Sequence, residues 1–292
     1  MKPTFLLCGG VGWCATNPLR YTLKDVCNVG RLREHHYLQL LEGTGNAWKM
    51  EKHLRQTSLE ESKFIRELLK SPISIESYIT YYKKLYDSTD IPMVGDASNT
   101  NYMLSEEFLA SVVPELEKHF NVKAYMIFRD PVRRTWSHLN FEYFNRRRRL
   151  ERIRRGDDRV NKTFEQFFNQ RLPKDWSTMY IQQWEMFQRH VDTLPIVMEE
   201  LWEGDTETEL ELISAHIGER VDTVYENVYS PDRGVNKDTS NPNLQDQWCS
   251  DHLELTPEVY FQIKEVLQPT YDAWAYKFGS LPKHWGHPYN YQ

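Results

Sequence analysis

Phe5-Leu6-Leu7-Cys8-Gly9-Gly10-Val11-Gly12-Trp13-Cys14-Ala15-Thr16-Asn17-Pro18 carries the chain out of a short apolar run, through a cluster of glycines and into a segment that opens on proline. Phe5 to Cys8 has the length and character of a buried strand, and the glycines supply the turn out of it. Asn17 is a good helix N-cap and Pro18 suits the first helical position. Leu19, Thr22, Leu23 and Val26 then give the helix a largely apolar face, up to a stop near Asn28 to Gly30. Strand, glycine-rich turn and helix in that order outline an anion site, because backbone N–H groups and the helix dipole converge on one point.

The same grammar recurs downstream. Val122 to Phe128 reads as a second strong strand that stops at Arg129-Asp130-Pro131, where Pro131 opens a helix running through Trp136, Leu139 and Phe144 into a run of arginines. Between the two junctions, Arg31 to Gln56 is irregular and rich in His, Trp and Gly. Leu59 to Leu69, Ile75 to Tyr86 and Leu104 to Phe120 have helical periodicity, and Ile91 to Val94 reads as a strand. Helices follow at Phe164 to Gln170, Met179 to His190, Glu207 to Ile217 and Thr256 to Phe278, with a strand at Pro195 to Met198. Alternation of this kind predicts an α/β fold whose mostly parallel sheet is covered by helices on both faces and takes ligands at the carboxyl ends of its strands. No Pro/Ser/Gly linker or internal repeat interrupts it, so residues 1–292 read as one domain.

Composition bounds the function classes. Of 292 residues, 40% are hydrophobic and 13% aromatic, with only 13 Gly and 14 Pro, which excludes fibrous and low-complexity chains. No apolar run approaches the roughly 18 residues of a membrane helix, so no membrane span is expected. The net charge of −6 gives no reason to expect nucleic-acid binding. Charge is uneven, however, and Arg146 to Arg149 are consecutive within the basic stretch Arg146 to Arg155. That stretch reads as a solvated helix extension balanced in part by Glu151, Asp157 and Asp158, or as a contact for an acidic acceptor or nucleic acid, although no aromatic residues interleave it to stack on bases. Four cysteines (Cys8, Cys14, Cys27, Cys249) without metal-ligand spacing are too few for a disulfide framework. Neither they nor the adjacent His35 and His36 form a zinc pattern, so no metal is expected. With no secretory apolar region at the start, a cytoplasmic location is the expectation.

The glycine-rich run lacks the Gly-Lys-Ser/Thr ending of a nucleoside-triphosphatase loop, which argues against a nucleotide kinase. It fits a loose dinucleotide fingerprint, but Glu34 lies among polar residues and not at a strand end. Three segments together carry a resemblance: Gly10-Val11-Gly12-Trp13-Cys14-Ala15-Thr16-Asn17-Pro18-Leu19, Arg33-Glu34-His35-His36-Tyr37, and Phe128-Arg129-Asp130-Pro131-Val132-Arg133-Arg134-Thr135-Trp136-Ser137. In this order they resemble the sulfotransferases that use 3′-phosphoadenosine 5′-phosphosulfate (PAPS), in particular the carbohydrate and heparan branch. Gly95-Asp96-Ala97-Ser98 and Met198-Glu199-Glu200-Leu201 extend the likeness along the chain.

The resemblance implies a P-loop-like three-layer α/β fold with a central, mostly parallel sheet flanked by helices. It implies transfer of a sulfuryl group from PAPS to a hydroxyl of a carbohydrate or similar small acceptor, leaving adenosine 3′,5′-bisphosphate (PAP). Gly12, Trp13, Cys14, Ala15, Thr16 and Asn17 align with the loop for the 5′-phosphosulfate, Arg129 and Ser137 with the 3′-phosphate clamp, and Glu34 with the catalytic base, His36 standing in reserve. The family's late basic loop corresponds to Arg233 and Lys237. Trp13 stands where the family has lysine, Ala15 where it has glycine and Asn17 where it has threonine, so the loop is degenerate. Arg20, Lys24, Arg33, Arg233 and Lys237 are the cations available as replacements. Trp13 either lines the acceptor site or packs, and Thr16 either bonds the 5′-phosphate or caps the helix. A bland reading of Arg129 pairs it with Asp130 or Glu142. The alternative function is a catalytically silent PAP- or PAPS-binding or interaction protein on the same fold.

Overall fold

Phe5, Leu7 and Cys8 are wholly buried and Leu6 nearly so, as expected of a central strand covered on both faces. In the computed structural model of the chain, the described residues are 2–30, 36–45, 73–144, 153–154, 156, 161–225 and 253–288. They fall into two compact units, one comprising Met1–Phe128 with Gln182–Tyr225, the other Arg129–Ile181 with Glu226–Gln292.

The first unit holds the sheet. Its strands are β1 (Thr4–Cys8), β2 (Cys27–Asn28), β3 (Met93–Asp96), β4 (Asn121–Phe128) and β5 (Thr193–Val197), in the order β2-β3-β1-β4-β5. Every pair is parallel, with Leu6 opposite Gly95 on one side and Lys123 on the other, and Ile127 opposite Ile196. The chain leaves β1 for β2 on one side and leaves β4 for β5 on the other. The order therefore reverses between β1 and β4, which puts the crevice expected to take ligands at their carboxyl ends. Helices α1 (Thr16–Thr22), α2 (Tyr37–Glu42), α3 (Ile75–Asp87) and α4 (Glu106–Glu117) precede β4. Behind β1, Phe5 meets Tyr82 of α3 edge-on with ring centres 4.8 Å apart and lies 5.4 Å from Phe120, an aromatic wedge between helix and sheet.

The second unit is helical: α5 (Pro131–Phe144), α6 (Phe164–Arg171) and the 22-residue α10 (Pro257–Phe278). Helix α7 (Tyr180–His190) leads back to β5, after which α8 (Met198–Glu203) and α9 (Thr206–Ile217) complete the first unit. A buried ion pair fixes α5: Arg134 and Asp175 are both essentially unexposed, and Asp175 also binds His138 Nδ1 at 2.9 Å and accepts from the Thr135 hydroxyl at 2.9 Å. Burial alone would raise the Asp175 pKa, but Arg134, His138 and the Ser177 N–H hold it well below the usual carboxylate range. Among the described residues no helix is long and apolar enough to cross a membrane.

The sheet and most helices match the sequence reading to within a few residues. Four local expectations are corrected. Asn17 does not cap α1: the helix begins at Thr16, its N-cap is Ala15 in the left-handed region, and no side chain caps it. Pro18 is thus third in the helix, not first, a position whose N–H has no helical partner in any case. Helix α1 also stops at Thr22 and does not reach Asn28 to Gly30, where Cys27 and Asn28 instead pair with β3 as the edge strand β2. Within the span read as irregular, Tyr37–Glu42 is helical, with Tyr37 and Leu38 buried against the sheet unit and Gly43 terminating it at φ 86°. Finally, the strand read as reaching Met198 ends at Val197, and Met198 starts α8. The helix expected at Leu59 to Leu69 and the Arg146 to Arg149 run lie outside the described residues.

Candidate functional site

The loop after β1 is held against β4 by backbone hydrogen bonds. Gly9 N–H donates to Tyr125 O at 2.7 Å, Ile127 N–H to Gly10 O at 2.7 Å, and Val11 N–H to Ile127 O at 3.1 Å, so the loop stays in register with β4 beyond the strand's end. Cys8 O accepts from Asn101 Nδ2 at 3.0 Å, and Asn101 Oδ1 accepts from Gln39 Nε2 at 3.1 Å, tying the loop's root to α2. Gly10 has φ 94°, and a Cβ there would lie 2.6 Å from the Tyr102 ring and 2.9 Å from Asn99 O, so only glycine fits. Trp13 and Ala15 also take positive φ, 73° and 59°, which is uncommon for residues with side chains and marks a loop whose shape is imposed by its surroundings. Cys14 is wholly buried and Thr16 nearly so, while Trp13, Ala15 and Asn17 are half-buried. Cys8, Cys14 and Cys27 are buried without disulfides, and burial pushes the Cys27 thiol up to about 12.

His36 is attached to the carboxyl end of β3. Buried Asp96 accepts from Tyr78 Oη at 2.6 Å and from Ser98 N–H at 2.8 Å. Ser98 Oγ in turn accepts the His36 N–H at 3.0 Å, and His36 Nδ1 lies 2.7 Å from Thr100 Oγ1. Ser98 thereby fixes the backbone, and Thr100 the ring, of a 7% exposed histidine at φ 51°. Burial, followed by the Asp96 charge, raises the Tyr78 pKa well above its ordinary value, keeping that hydroxyl a donor.

The Arg-Asp-Pro junction is built differently. Asp130 is fully buried: its Oδ1 accepts the Arg133 N–H at 3.1 Å as an N-cap of α5, with Pro131 first in the helix as expected. Its Oδ2 accepts from Tyr260 Oη at 2.9 Å, Tyr271 Oη at 3.0 Å and Gly286 N–H at 2.9 Å. Burial and then the Asp130 charge raise both tyrosines, so they remain protonated donors. Arg129 is half-buried and its carbonyl accepts from Tyr180 Oη at 3.1 Å. Glu142, one of the carboxylates considered for Arg129, binds Arg171 at 3.3 Å. Ser137 is half-buried one helical turn beyond Arg133.

Glu34, Arg233 and Lys237 lie outside the described residues. The first unit contains the loop Gly12 to Asn17 and His36, and the second contains Arg129 and Ser137. Sequence reading missed Asn101, Thr100 and Gln183. A polar run Asn99-Thr100-Asn101 immediately after a strand signal was the available clue to the first two; nothing local distinguished Gln183. That residue, in α7, is 4% exposed, and neither end of its carboxamide has a hydrogen-bond partner among the described residues, a state that costs about 1–3 kcal/mol.

No family model matches the sequence, and no curated protein matches it. Solved structures do. A sulfotransferase from Alicyclobacillus acidocaldarius matches with a TM-score of 0.52 at 14% identity, over 97% of this chain and 98% of that one. The sulfotransferase domain of the Synechococcus PCC 7002 olefin synthase is 18% identical, with a TM-score of 0.47 over 91% of this chain and 94% of that one. This chain therefore has the sulfotransferase fold: a parallel sheet in α/β arrangement, followed along nearly its whole length by the Alicyclobacillus enzyme.

Proposed function

We propose that the protein is a PAPS-dependent sulfotransferase acting on a hydroxyl of a carbohydrate or similar small acceptor. The observation that carries the reading is the glycine-rich loop at the carboxyl end of β1, beside the point where strand order reverses, in a chain with the sulfotransferase fold. The loop suits an anion. A Cβ on Gly12 would meet nothing nearer than the Tyr102 ring at 3.9 Å, leaving room for a close approach to backbone N–H groups. PAPS would supply an activated sulfuryl group. The acceptor oxygen forms a new S–O bond, the bond to the 5′-phosphate breaks to leave PAP, and the acceptor's proton passes to a base.

In this reading Gly12, Trp13, Cys14, Ala15, Thr16 and Asn17 hold the 5′-phosphosulfate, and Arg129 with Ser137 binds the 3′-phosphate through charge-assisted and neutral hydrogen bonds. Glu34 is the base. His36, oriented by Thr100, steers the acceptor hydroxyl and is the reserve base. Arg233 and Lys237 supply late contacts to the nucleotide. Location in the cytoplasm and the absence of a nucleic-acid partner belong to the same proposal.

The test is transfer of labelled sulfate from PAPS to a panel of sugar hydroxyls. Glu34→Gln keeps size and polarity but removes the base, so turnover should fall by roughly 100-fold while PAP affinity barely moves. His36→Asn should lose less. Unchanged turnover in Glu34→Gln transfers the role to His36. Because Trp13 occupies the position of the family's lysine, a second reading is retained: tight PAP binding with no transfer to any acceptor identifies a silent binding protein.

A further inference from the structure

Gln183 combines near-complete burial with a carboxamide that has no hydrogen-bond partner, at either oxygen or nitrogen, among the described residues. Buried amides in folded proteins are almost always paired, so an orphan of this kind calls for a missing ligand or a function.

Its place in the fold follows from its neighbours. Helix α7 leads into β5, which starts opposite Ala124 and runs parallel to β4, so α7 runs against the strands with its early turns towards the sheet's carboxyl edge. Phe187, four residues after Gln183, packs on the loop: a Cβ on Gly9 would lie 3.2 Å from its ring. Gly9 is level with Tyr125, to which it is bonded. Gln183 is on the same helix face as Phe187 and about 6 Å, one turn, nearer the carboxyl edge. That is the level of Gly10 and Val11, which pair with Ile127. Helical side chains lean towards the amino terminus, so the carboxamide is carried towards that edge. From Gly9 to Asn17 the loop itself contains no lysine or arginine, so its only donors are backbone N–H groups and the side chains of Trp13, Cys14, Thr16 and Asn17.

We propose that Gln183 is a donor ligand of the sulfuryl group at this loop, its Nε2–H bonding a sulfuryl oxygen of PAPS. The proposal rests on the reading of the loop as the 5′-phosphosulfate site, and makes Gln183 the residue that separates PAPS from its product. PAP, which lacks the sulfuryl group, gains little from it.

Gln183→Met retains the length and removes the amide. Calorimetric titration should show PAPS affinity weakened about tenfold or more, as expected for losing a hydrogen bond to a charged group, and PAP affinity changed less than about threefold. Melting of the ligand-free variant should occur at the same temperature as wild type or higher, since a buried unbonded amide has been replaced by an apolar chain. If Gln183→Met does not fold, Gln183→Asn, which keeps the amide but withdraws it by one methylene, must show the same selective loss. A loss shared equally by PAP, or no loss at all, in the variant that folds would overturn the assignment of Gln183 while leaving the loop's role standing. A wild-type chain that binds neither PAPS nor PAP overturns the loop reading and this inference together.

Discussion

Gly10 and Gly12 are two residues apart, yet only one is required by the fold. Gly10 has a positive φ and touching neighbours at Tyr102 and Asn99, so Gly10→Ala should destabilise the chain by about 1–3 kcal/mol. Gly12 has no positive φ, and its Cβ position is open to 3.9 Å. Gly12→Ala should therefore melt within about 2 °C of wild type while losing most of its PAPS affinity, measured by thermal denaturation and calorimetry on the same preparation. Equal stability with full affinity would show that the loop backbone does not approach a ligand. At this scale the sequence was legible where a residue constrains its own backbone, as the glycines and Pro131 do. It was not legible where the role comes from distant partners. Asn101 matters because its amide meets Cys8 O, 93 positions away, and Gln183 because Phe187 packs against Gly9.

Helix α5 shows how one element is anchored through a carboxylate at each of two levels, Asp130 at its start and Asp175 along its side. Asp175→Asn leaves Arg134, wholly buried, without its counter-charge and should cost about 3–5 kcal/mol. The pH dependence has a definite sign. The folded-state pKa of Asp175 is depressed, so its contribution is complete above the unfolded value of about 3.9 and is lost as pH falls towards the folded value. Denaturant melts from pH 7 to pH 3 should show the gap between wild type and Asp175→Asn closing below about pH 4; a gap constant throughout would place the stabilisation elsewhere. Among elements, strands β1 and β4 and the long helices were readable because their apolar residues recur with a clear period. The sequence pattern carries helix α1 too far because Leu23 and Val26 continue it, whereas Cys27 is taken up by the edge of β3 as strand β2. Propensity lost to long-range pairing.

For the whole molecule, the alternation of strand and helix specified a parallel α/β sheet, and the order β2-β3-β1-β4-β5 supplies what the alternation could not, the location of the reversal beside β1. The two strand-to-helix junctions, one leaving Cys8 and one leaving Phe128, are exits from the two strands flanking that reversal. The likeness to a sulfotransferase over 97% of the chain establishes the fold; the chemistry is a separate claim that depends on a nucleotide carrying both a 5′ and a 3′ anion. Direct titration of the full chain with PAP, AMP and ATP addresses it. The account predicts that PAP binds at least about tenfold more tightly than AMP or ATP, and that Arg129→Ala costs PAP about tenfold or more, roughly 1.4 kcal/mol at the least, while leaving AMP unchanged. Equal affinities for PAP and AMP, or an Arg129→Ala variant that binds PAP as wild type does, would contradict it.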